Sequence, residues 1–166
     1  MRPLEILAAL DQYLEMRALR FEGVVIGGAA LNLLGVVSRP TKDCDILSPT
    51  IPEPIAGAAR TFAAEMRHGG QLLQDDWFNN GPASLAKELP ERWEDRLLSA
   101  FKGKALHLRT LGRDDLLRTK LFALCDRALE LAALLPWVEE QDLNPDWPAH
   151  VRATLADLGR RLGHVV

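Results

Sequence analysis

The feature that most constrains this chain is an apolar run that stops on two glycines and restarts as a helix. Phe21 to Ile26 ends in Val24-Val25-Ile26, a β-branched stretch of strand character. Gly27 and Gly28 close it, and Ala29 to Leu34 is strongly helix-forming. The pattern predicts strand, tight glycine turn, helix. Glycines at such a turn let backbone approach a ligand closely, and free amides at a helix start favour an anion such as phosphate. Glycine is also the default wherever φ must be positive, so the turn alone is as readily a plain chain reversal. It is neither a Walker A sequence nor a G-x-G-x-x-G fingerprint.

The next feature is a pair of carboxylates. Gly35 to Lys42 reads as a loop broken by Pro40, and Asp43 to Leu47 is short and β-compatible, closed by Ser48-Pro49-Thr50. Alternation along a strand puts Asp43 and Asp45 on one face, with Cys44 and Ile46 on the other. Two adjacent carboxylates repel each other unless a cation or proton separates them. A hard divalent cation such as Mg²⁺, or Mn²⁺, suits the pair, because it takes oxygen ligands and keeps positions for substrate phosphates. A bare Asp-x-Asp is more often a solvated strand end. Its setting after the glycine turn gives it weight.

The rest of the chain alternates helix and strand. Leu4, Leu7, Leu10 and Leu14 follow Pro3 at helical spacing. Pro52 to Arg67 predicts a helix stopped by Gly69-Gly70, and Gln71 to Phe78 a short strand before the turn Asn79-Asn80-Gly81-Pro82. Arg96 to Phe101 and Ala105 to Leu111 form a hairpin around Lys102-Gly103-Lys104. A helix is expected from Asp114 to about Leu129, a Pro- and Asp-rich connection from Gln141 to Trp147, and a last helix from Pro148. The class is therefore α/β or α+β: a small mixed sheet flanked by helices, with a helical C-terminal part. With 166 residues, one domain is expected over 1–166, its core at about 20–127 and a helical extension at about 128–166.

Composition narrows the function classes. A formal net charge of −3 gives no general affinity for nucleic acid or membranes. No run approaches the ~18 apolar residues of a membrane span, and Glu5, Asp11, Glu15 and Arg17 break up any signal-peptide core near the N-terminus. The expectation is a cytoplasmic protein without membrane partners, whose Cys44 and Cys125 are reduced thiols. The four histidines, His68, His107, His150 and His164, form no metal pattern.

Val25-Ile-Gly-Gly-Ala-Ala-Leu, followed by Ser38-Arg-Pro-Thr-Lys-Asp-Cys-Asp-Ile-Leu, resembles the signature of the nucleotidyltransferase superfamily, the DNA polymerase β-like fold. That signature is a hydrophobic residue, Gly, then Gly or Ser, a spacer of about ten residues, and an Asp-x-Asp or Asp-x-Glu on the next strand. The spacer here, from Gly28 to Asp43, is 14 residues. The form is similar to bacterial abortive-infection toxins of the Abi type and related nucleotidyltransferase-like proteins. The resemblance implies that Asp43 and Asp45 are catalytic and hold the metal, and that Gly27, Gly28, Arg39 and Thr41 meet the nucleotide. It also implies a nucleoside triphosphate as substrate, an RNA, protein or small-molecule hydroxyl as acceptor, and a toxin or antitoxin as partner.

A lysine supplies a separate clue. On the helix from Asp114, Leu116, Leu117, Leu121 and Leu124 mark a buried side, and Lys120 falls inside that stripe. A lysine there either snorkels outward or reaches into a site. Leu116 to Arg127 looks like the helix that carries a nucleotide-contacting lysine in Abi-type transferases, which assigns Lys120 to a phosphate. Those families then bring a further carboxylate. This chain continues Ala-Leu-Glu-Leu-Ala-Ala-Leu-Leu-Pro without the aspartate, leaving Glu130 as a possible substitute, and the hairpin offers His107 instead of an acid. The alternative is a non-catalytic nucleotide- or partner-binding module with the same fold. Asp75-Asp76-Trp77 and Asn79-Asn80 resemble a segment near the pocket in those proteins, but read first as a surface turn with a packed Trp.

Overall fold

A computed structural model describes residues 3–38 and 41–120. Residues 1–119 form one compact unit, and Lys120 begins a second, 120–166. The first unit is a five-stranded mixed sheet with helices, as the alternation of elements predicts. Its elements are α1 (Pro3–Met16), β1 (Phe21–Ile26), α2 (Gly27–Leu33), β2 (Cys44–Ser48), α3 (Glu53–His68), β3 (Phe78–Asn79), β4 (Leu98–Lys102) and β5 (Leu106–Thr110). Two short 3₁₀ turns, Ala83–Glu88 and Trp93–Arg96, join β3 to β4. Among the described residues no helix is long and apolar enough to cross a membrane.

The strands lie in the order β3-β2-β1-β5-β4. β1 is antiparallel to β2 and parallel to β5, while β3 runs parallel to β2. The C-terminal end of β1 therefore meets the N-terminal ends of β2 and β3. This is where the glycine turn and the carboxylates converge.

The register separates two faces. Phe21↔Leu106, Gly23↔Leu108 and Val25↔Thr110 pair on one face, and Leu106, Leu108 and Thr110 are buried. Glu22↔His107 and Val24↔Arg109 pair on the other, where Glu22 and Arg109 are exposed. α1 buries Leu7, Leu10 and Leu14 of the expected stripe, each worth about 1.5–3 kcal/mol relative to exposure, but Leu4 is exposed and Ile6 and Tyr13 complete the buried face instead. α3 buries Ile55, Ala58, Ala59, Phe62 and Ala63, the positions that line one helical face. A chain of ring contacts runs Tyr13–Phe62–Trp77–Phe78–Phe21, with centroids 5.3, 6.0, 5.5 and 5.8 Å apart. It ties α1 and α3 to β3, beside the carboxylates, and to the start of β1.

Three local expectations shift. The helix predicted after the glycines begins on them: α2 starts at Gly27, with Ile26 as its extended N-cap. The strand predicted within Gln71 to Phe78 is only the two-residue β3, because 71–77 is a loop folded around the buried Leu73 and Trp77. Residues 113–120 are helical, but Leu117 is 59 % exposed. The buried side runs instead through Asp115, Leu116 and Thr119, because Arg96 pairs with Asp115 (2.9 Å) and the Thr119 hydroxyl donates to the Leu116 carbonyl (2.8 Å). The continuation of this helix to Leu129, Cys125, Glu130, the 141–147 connection and the helix from Pro148 lie outside the described residues.

Candidate functional site

The site begins where β1 turns into α2. Gly27 has φ +75°, a left-handed conformation that a side chain rarely adopts. Ile26 pairs in register with Asp45 on β2, so the turn faces that carboxylate directly. A Cβ on Gly27 would lie 2.6 Å from Asp45 Oδ2. Gly27 is thus required twice, by backbone conformation and by the approach of Asp45. A Cβ on Gly28 would lie 3.0 Å from the Thr41 hydroxyl. That hydroxyl donates to the Asp43 carbonyl at 3.3 Å. The glycine turn, the Thr41 hydroxyl, the Asp43 backbone carbonyl and the Asp45 carboxylate thus lie together.

Asp43 immediately precedes β2 and Asp45 lies within it; both side chains are half-buried. Cys44 between them points into the core and is fully buried. Burial, and then the charges of Asp45 and Asp43, push its thiol far above the usual range, so it stays protonated and unreactive. The negative charge of both aspartates is therefore felt at one point in the strand.

A residue that the sequence pattern left as turn chemistry also reaches the cluster. Asn79 on β3 stands in register with Asp45, and its amide Nδ2 donates to Asp45 Oδ1 at 3.4 Å. The Asn-Asn-Gly-Pro run signals a turn, and nothing in it distinguishes Asn79 from its neighbour. Asn80 has a different task. Its side chain accepts from Ile51 N and donates to the Ile46 and Pro49 carbonyls, tying the turn to the segment that leaves β2.

A cavity of about 630 Å³ opens beside Thr41 and Lys42, lined also by Arg67, Leu72, Leu73, Gln74 and Asp75. Its size falls within the usual range of ligand pockets, about 300–1,000 Å³. Arg67 is held there by Asp75 Oδ1 and the Leu73 carbonyl, both at 2.6 Å.

The structure thus brings together Gly27, Gly28, Thr41, Asp43 and Asp45. Arg39 lies outside the described residues. Lys120 is exposed and is the first residue of the second unit. No group of three His, Cys, Asp or Glu side chains suited to a metal occurs among the described residues. β5, on the far side of β1, offers no acid at this end. It presents the exposed Arg109 and the buried Thr110, whose hydroxyl has no hydrogen-bond partner. Two half-buried carboxylates fit a cation that completes its shell with substrate oxygens and water, which is how Mg²⁺ is usually bound.

A mixed α/β sheet whose Gly-Gly turn abuts an Asp-x-Asp strand is the arrangement the sequence signature implies for a nucleotidyltransferase. The chain belongs to such a family: residues 3–144 match the family described as "Nucleotidyltransferase of unknown function (DUF6036)". No curated protein and no solved structure gives a significant match.

Proposed function

We propose that this protein transfers a nucleoside monophosphate from a nucleoside triphosphate to a hydroxyl acceptor. The observation that carries the reading is that Ile26 pairs in register with Asp45 and the left-handed Gly27 after it leaves open the space a Cβ would take from the Asp45 carboxylate. Asp43 and Asp45 would hold Mg²⁺ or Mn²⁺. The bound cation would supply charge neutralisation on the phosphoryl group and activate the attacking hydroxyl.

The chain's own residues then divide the remaining work. The bare backbone of Gly27 and Gly28 lets the triphosphate approach without a side chain in the way. The Thr41 hydroxyl sits between Gly28 and the Asp43 carbonyl, at the edge of the large cavity, and orients the ligand there. Arg39 and Lys120 are the cations the sequence signature assigns to the phosphates. In the transfer, the acceptor oxygen forms a bond to the α-phosphorus and the bond to the bridging oxygen breaks. Pyrophosphate leaves, and the acceptor's proton is lost to solvent.

A non-catalytic nucleotide- or partner-binding module is the second reading. It is favoured by β5, which carries Arg109 and Thr110 where an additional acid would complete the site. The similarity to Abi-type toxins supports a role in a toxin–antitoxin or phage-defence pair, with RNA or protein as acceptor. Incubation with Mg²⁺ and each α-labelled nucleoside triphosphate decides among these. Label transferred to RNA or protein by the wild type, and abolished in both Asp43→Ala and Asp45→Ala, supports the enzyme. Nucleotide binding without transfer to any acceptor supports the module.

A further inference from the structure

We infer that Asn79 is a positioning residue for Asp45, fixing the rotation of its carboxylate so that Oδ2 is presented to the Gly27 turn. The inference rests on the metal-binding reading of Asp43 and Asp45 given above.

The orientation of the Asn79 amide is settled by its partners. Its Oδ1 accepts the Gly81 backbone N–H at 2.6 Å. Its Nδ2 must then be the donor, and it reaches two acceptors, the Asp76 carbonyl at 3.2 Å and Asp45 Oδ1 at 3.4 Å. The flipped amide would set oxygen against both of those oxygens and nitrogen against a backbone N–H. Two contacts anchor the amide within the 76–81 turn, and the third is aimed at the carboxylate.

Asp45 is consequently bracketed. Asn79 donates to Oδ1 from β3, and Oδ2 lies where a Cβ on Gly27, the first residue of α2, would stand. Groups of this kind, one bond removed from a metal ligand, commonly set both its direction and its affinity.

Asn80 supplies the control. It makes three hydrogen bonds to backbone and none of them involves Asp45. The experiment measures Mn²⁺ affinity by electron paramagnetic resonance, with melting temperature measured in parallel, for wild type, Asn79→Ala, Asn80→Ala and Asp45→Ala. Asn79→Ala and Asn80→Ala are both expected to melt earlier. Only Asn79→Ala is expected to weaken Mn²⁺ binding while folded, by about 10- to 100-fold. Asn79→Asp, nearly isosteric but unable to donate when ionised, checks the sign. It loses the orienting bond but adds a carboxylate, so its Mn²⁺ affinity should exceed that of Asn79→Ala. Wild-type affinity in Asn79→Ala, alongside lost affinity in Asp45→Ala, would overturn the positioning role and leave the metal site standing. Equal Mn²⁺ binding by wild type and Asp45→Ala would overturn the metal site itself, and the role of Asn79 with it.

Discussion

Asp11 and Asp45 stand at opposite ends of the same sheet, each pressed against a glycine. Asp11 projects from α1 to the start of β5, where its carboxylate accepts the backbone N–H groups of Ala105 and Leu106 at 2.8 Å and Lys104 at 3.1 Å. Gly103 leaves room for it: a Cβ there would overlap the carboxylate. Asp45 lies at the other end, beside the last residue of β1, with Gly27 against one oxygen and the side chain of Asn79 donating to the other. Asp11 is 8 % exposed, whereas Asp45 is half-buried. The first carboxylate is consumed by the backbone of the β4–β5 hairpin. The second borders the glycine turn, close to the Thr41 loop that lines a cavity large enough for a ligand. A glycine beside a carboxylate therefore has two meanings, and the acceptors and donors around it decide which applies.

The largest expected effect tests the ligand-binding end. Asp45→Ala should lower label transfer by about 1000-fold, or about 4 kcal/mol of lost charge stabilisation. It should move the unfolding midpoint in urea little. Asp43→Ala should behave alike. Comparable loss of stability and activity in both would place Asp45 with Asp11 as a structural carboxylate and erase the contrast.

Next comes Asp11→Ala, which strands three backbone donors in and around a buried turn. The cost should be about 2–4 kcal/mol of stability, read from urea unfolding. Transfer per folded molecule should hold. A hairpin that tolerates the change would mean that water replaces the carboxylate.

Gly27→Ala joins the two ends. The alanine must adopt φ near +75° and push aside Asp45 Oδ2 from 2.6 Å. Strain of this kind costs about 1–3 kcal/mol. Because it also displaces a proposed metal ligand, Mn²⁺ affinity should fall beyond what the stability loss accounts for. Gly103→Ala should destabilise without touching Mn²⁺ affinity, and the pair of variants separates the two uses of glycine.

Much of this contrast was legible in the sequence at one end only. The run Val24-Val25-Ile26-Gly27-Gly28 marks its own strand and helix, and the short apolar stretch after Asp43 marks β2, which carries Asp45 while Asp43 stands just before it. These are local rules, and the local signal is strong. Asp11 was visible only as a charge on an amphipathic helix, since its three donors lie 93 to 95 residues away. Asn79 was hidden for a related reason: turn residues advertise their turn, and only the β2–β3 register brings one of two adjacent asparagines to the carboxylate. Leu117 failed as a core residue because helical periodicity fixes the spacing of a buried stripe but not its rotation. The Arg96–Asp115 pair supplies that rotation from outside the helix.

The smallest expected effect concerns acid. Burial raises the pKa of Asp11, but the hydrogen bonds from Ala105, Leu106 and Lys104, aided by the charge of His107, outweigh it and leave the group below its ordinary value. A carboxyl group that binds its proton more weakly folded than unfolded stabilises the fold only while ionised. Its contribution is complete above the unfolded value, about 3.9, and is lost as the pH falls through the lower folded value. Urea midpoints for wild type and Asp11→Asn should therefore differ by a constant amount near neutrality and converge below about pH 4. A gap between the two proteins that stays constant into acid would show that the carboxylate's charge is irrelevant and that its shape alone holds the hairpin.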